Sequence, residues 1–71
     1  LLRIVVDEEE RHETVPLYSA ILHRARDLGI AGGTVFRGIA GFGAGSGAGL
    51  PMVIEIVDTP EHVRSLVEAI A

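Results

Sequence analysis

The sequence predicts a small α+β domain in which two helices cover one face of an antiparallel sheet. Three observations predict it: three short β-branched runs bounded by turn residues, two stretches with apolar residues at spacings of three and four, and the order in which they alternate.

Leu1 to Val6 is the first strand, with Leu2, Ile4 and Val6 on one face and Arg3 breaking the apolar run. Asp7 to Glu13 then carries five carboxylates in seven residues around Arg11 and His12, a density that repels itself outside water and predicts a solvated loop. Thr14 is placed to cap a helix with Pro16 in its first turn, where a missing N–H is harmless. Tyr18, Ile21, Leu22, Ala25 and Leu28 form the apolar stripe of that helix, which runs from about Val15 to Leu28 and ends at Gly29. Thr34 to Ile39 reads as the second strand, with Thr34 and Phe36 opposite Val35 and Ile39.

From Gly41 to Gly49 every second residue is glycine, which predicts a flexible loop over residues 41–49 rather than a packed element. Leu50 to Val57 is the most hydrophobic run, as a central buried strand would be. Asp58 or Thr59 then caps a second helix with Pro60 at N1, Glu61 near the positive end of its dipole, and Val63, Leu66, Val67 and Ile70 as its stripe.

The resulting order, β-α-β-loop-β-α, is a ferredoxin-like split βαβ plan with its last strand missing, in a single domain over residues 1–71. Both helices lie on one face. The other face, expected to bear Arg3, Arg37, Val5, Val53 and Val57, needs cover, which predicts partner subunits. A 71-residue chain buries only roughly 60% of its unfolded surface. Without cysteine, oligomerisation is the expected support.

Composition narrows the function. A net charge of −4 and a pI near 5.2 disfavour phosphate backbones, so no nucleic-acid partner is expected. All six positive side chains are Arg, which removes a P-loop lysine and Schiff-base chemistry. No apolar run approaches the ~20 residues that span a bilayer, and no charged-then-apolar signal segment opens the chain, so a cytoplasmic location is expected.

Of the chemistry-bearing residues, His12, His23 and His62 lack a helical metal-ligand spacing, so no metal is expected. Ser19, Ser46 and Ser65 lack a neighbouring His and acid, and the Glu8, Glu9, Glu10 and Glu13 cluster is wet, so no catalytic residue is assigned and the chain is expected not to be an enzyme. Gly43-x-Gly45-x-x-Ala48 meets a loose dinucleotide fingerprint but runs into a strand where a helix is required. Arg37, beside the glycine turn, is the cation best placed for an anionic ligand; a surface ion pair is the alternative. Glu55, alone in a buried run, either pairs with Arg37 or Arg3 across an interface or contacts a ligand.

Several blocks occur together: Leu1-Leu2-Arg3-Ile4, Pro16-Leu17-Tyr18, Gly29 to Gly43 with the string Arg37-Gly38-Ile39-Ala40-Gly41-Phe42-Gly43, and Leu50 to Asp58. The chain thereby resembles domain-of-unknown-function family 190, a group of PII-like signalling proteins, over almost its whole length. The resemblance implies a homotrimer that binds a small effector, with an adenine nucleotide foremost, in intersubunit clefts and signals through a flexible loop to a membrane transporter or soluble protein. No cofactor is implied. The candidate effector-binding residues are Arg37, Gly38, Gly41, Phe42, Gly43 and Glu55. Where the family carries a longer loop before Leu-Pro, only Ala44 to Gly49 stand here. Competing readings are an ACT-like or metal-tolerance small-molecule module, and a ferredoxin-like lyase or isomerase using His12 and Glu55.

Overall fold

The computed structural model describes residues 1–42 and 49–71. Three strands form the main sheet: β1 (Leu2–Asp7), β4 (Gly32–Arg37) and β5 (Pro51–Val57), in the order β1-β5-β4. β5 is antiparallel to both neighbours. The path from β1 through helix α1 (Leu17–Asp27) to β4 therefore leaves a gap that β5 fills, which is the expected split βαβ arrangement. Helix α2 (Pro60–Ile70) follows β5.

Strand parity sorts the residues of the sheet. Met52, Ile54 and Ile56 of β5 are buried under the helices with Val6, Ile21, Ala25 and Leu66, while Val53 and Val57 alternate to the open face. Ile54, Ile56 and Leu66 are fully buried, each contributing roughly 1.5–3 kcal/mol of transfer free energy. The register pairs Val5 with Val53 and Phe36 with Val53 in one row, and Arg3 with Glu55 and Thr34 with Glu55 in the next.

Three expectations need correction. The acidic stretch is not a plain solvated loop: Asp7 is 4% exposed, and Arg11–His12 (β2) pairs with Val15–Pro16 (β3) in a short hairpin. Backbone N–H groups satisfy the acids: Asp7 Oδ1 accepts from Glu9 N at 2.8 Å, and Glu10 Oε1 accepts from Asp7 N at 2.9 Å. Second, α1 begins at Leu17, not Val15, and Thr14 does not cap it. Val15 precedes proline and is pushed to extended backbone, where it pairs with His12. Third, Arg37 does not share the open face with Arg3. It stands opposite Met52, on the parity of the helix side.

The helix ends follow their local signals. Ile30 N donates to Ala25 O and Gly29 N to Arg26 O, a Schellman closure with Gly29 at φ 78°. Thr59 caps α2 and accepts from His62 N, with Pro60 next in line. Among the described residues no helix is long and apolar enough to cross a membrane.

Candidate functional site

The C-terminal ends of β1 and β4 and the start of β5 meet at one end of the sheet, where Asp7 pairs with Pro51 and Arg37 with Met52. Arg37 is the last residue of β4. Its side chain is 62% exposed and its Nε lies 3.4 Å from Glu8 Oε2. Gly38 then turns the chain, its N–H donating to Pro51 O at 2.7 Å. A Cβ at Gly38 would stand 2.6 Å from Pro51 Cγ, and one at Gly41 would stand 3.1 Å from the same atom. The proline ring thus occupies the space that two absent side chains leave, and the Arg37–Phe42 string and the Leu50-Pro51 pair are two halves of one joint.

The return side of the connection is held by β1. Gly49 N donates to Asp7 Oδ2 at 3.2 Å, Leu50 N donates to Glu8 Oε1 at 3.1 Å, and Glu8 N donates to Leu50 O at 2.9 Å. A Cβ at Gly49 would meet Asp7 Oδ1 and Glu8 Cγ at 2.7 Å, so only glycine fits there without displacement. Ile39 and Phe42 stand 94% and 100% exposed on the outgoing side.

The candidate residues therefore divide. Arg37, Gly38, Gly41 and Phe42 gather at this end of the sheet, and Gly43, with most of the loop assigned to residues 41–49, lies outside the described residues. Glu55 is elsewhere. It sits mid-strand on the open face, opposite Thr34 and about 10 Å along the strand from Arg37. Its partner is Arg3, whose Nε donates to Oε2 at 2.8 Å, so the ion pair forms within one chain and not with Arg37. His12 lies in the β2–β3 hairpin, on a different element from Glu55.

Asp7 and Glu8 escaped the sequence reading because a run of four acids reads as solvent-facing charge; the signal available was that β1 ends among them. At the opposite end of the sheet Asp58 was also missed except as a cap. Its carboxylate accepts from Thr59 N at 2.6 Å, Ala31 N at 2.9 Å and His62 Nδ1 at 2.8 Å. Those bonds, the Thr59 N–H first, then Ala31 and His62, hold its pKa down at about 2.

Among the described residues, surface grooves lie away from Arg37. One of about 320 Å³ runs between α1 and β4, past His23, Arg26 and Gly33. Another, about 460 Å³, lies between Leu1 and the Val63 and Val67 side of α2. Among the described residues no three His, Asp or Glu side chains gather as a metal site would need.

The family model DUF190, described as Uncharacterized ACR, matches residues 1–71. A UPF0166 protein of Aquifex aeolicus is 39% identical over 80 residues, covering 99% of this chain and 76% of the relative. A UPF0166 protein of Methanocaldococcus jannaschii is 32% identical over 73 residues, covering 90% of this chain and 68% of the relative. The 80-residue match is longer than the chain itself, so the Aquifex relative carries additional residues within it. The joint between the Arg37–Phe42 string and Leu50-Pro51, the split βαβ plan and these matches agree: the chain belongs to the DUF190 family, a PII-like group.

Proposed function

We propose that this domain is a PII-like signal-transduction protein of the cytoplasm that binds a small anionic effector, an adenine nucleotide, and catalyses no reaction. The observation that carries the reading is the placement of Arg37. Its side chain projects 62% exposed from the last position of β4, beside the glycine backbone and at the entrance to the β4–β5 connection. A planar fork of donors there suits phosphate oxygens. A nucleotide held there is covered by a neighbouring subunit of a homotrimer, as family membership implies. Occupancy then biases the conformation of the connection, which a membrane transporter or a soluble protein target reads.

Titration calorimetry with ATP, ADP, AMP, bicarbonate and 2-oxoglutarate tests this reading. An adenine nucleotide is expected to bind, and Arg37→Gln to weaken it at least tenfold, the loss of one charge-assisted contact. Silence across all five ligands, or binding indifferent to Arg37→Gln, removes the proposal.

A further inference from the structure

Glu8 touches both sides of the β4–β5 connection. Its backbone N–H and its Oε1 together hold Leu50, at 2.9 and 3.1 Å, while its Oε2 faces Arg37 Nε at 3.4 Å. These contacts differ in kind. The two to Leu50 are hydrogen bonds; the one to Arg37 is longer than a hydrogen bond and leaves the guanidinium exposed. One carboxylate thus divides its two oxygens between the return stem of the connection and the cation at its outgoing stem.

We infer that Glu8 is a positioning residue for Arg37, which an anionic ligand must displace, and that its displacement carries the ligand signal to Leu50. The inference rests on the reading of Arg37 as the anion contact. A phosphate group offers the guanidinium several charged oxygens in bidentate geometry, against one distant carboxylate oxygen from Glu8. Once phosphate is seated, the Glu8 carboxylate is a like charge beside it and swings away. The same movement withdraws Oε1 from Leu50 N, so one of the two bonds between Glu8 and Leu50 is lost, leaving the Glu8 N–H to Leu50 O bond and the Gly49 contact with Asp7. Ligand and Leu50 anchor are then coupled through a single side chain.

The test compares ATP binding, by calorimetry, and Leu50 amide hydrogen exchange, by NMR, in the wild type, Glu8→Gln, Glu9→Gln and Arg37→Gln. Glu8→Gln keeps an oxygen for Leu50 N and removes the competing charge. It is expected to tighten ATP binding about fivefold and to suppress the ATP-dependent rise in Leu50 exchange expected of the wild type. Glu9→Gln makes the same change in net charge one residue away and is expected to behave as wild type. If Arg37→Gln abolishes binding while Glu8→Gln and Glu9→Gln are indistinguishable, the role of Glu8 is overturned and Arg37 stands. If Arg37→Gln or the wild type itself shows that Arg37 binds no ATP, both fail.

Discussion

Asp58 reaches a residue 27 positions back along the chain: its carboxylate takes the N–H of Ala31 at the entrance to β4 as well as the N–H of Thr59 at the start of α2. A carboxylate held at a pKa of about 2, against an ordinary 3.8, stabilises the fold wherever it is ionised. The contribution is fully present above pH 3.8 and is lost as pH falls through about 2. Asp58→Asn cannot offer two anionic oxygens to three donors. It is therefore expected to be less stable at neutral pH and to show a shallower loss of stability between pH 4 and 2, read from urea midpoints followed by circular dichroism. Parallel acid limbs for variant and wild type would count against this assignment. Asp7 teaches a related lesson about legibility. Composition counted it among five repelling acids, whereas its oxygens accept from Glu9 N and Gly49 N, 2 and 42 positions away in the chain. Local charge density carries no record of a donor so distant. Arg37 is legible in the sequence: counting in twos from Val35 puts it on the helix side.

At the scale of elements, local chemistry decided what was readable. Thr59-Pro60-Glu61 and the alternating burial of Met52 to Ile56 need nothing beyond nearest neighbours, and α2 and β5 lie where the sequence places them. The start of α1 does not. Pro16 suits a first helical turn, but the β2–β3 pairing and the bond from Leu17 N to Glu10 O take that backbone instead. The far end of α1 gives a clean test of local conformation. Gly29 has φ 78°, and an added Cβ would meet nothing within 4 Å, so a substitution there is opposed by backbone conformation alone. Gly29→Ala should cost roughly 1–2 kcal/mol. Gly29→Asn should cost less, because its short polar side chain tolerates that region. Denaturant unfolding of the three proteins checks both; an alanine variant as stable as the wild type would show that the Schellman closure does not depend on glycine.

The whole molecule is a three-stranded sheet roofed on one side. Across its open face runs an apolar row, Val5, Val53 and Phe36, with Val5 62% and Phe36 49% exposed, beside the polar row Arg3, Glu55 and Thr34. Because Arg3 and Glu55 neutralise one another within the chain, a second copy can cover the face without burying an unpaired charge. Burying the exposed half of Phe36 in such a contact stabilises assembly by roughly 1–1.5 kcal/mol per chain. The same ring contributes little to the intrachain core, which lies on the other side of the sheet. Phe36→Glu should therefore separate assembly from folding. In sedimentation velocity the wild type is expected as a homotrimer and the variant as a monomer, while far-UV circular dichroism shows secondary structure retained. A wild-type chain that sediments as a monomer, or a variant that remains trimeric, means that this face is not where the copies meet.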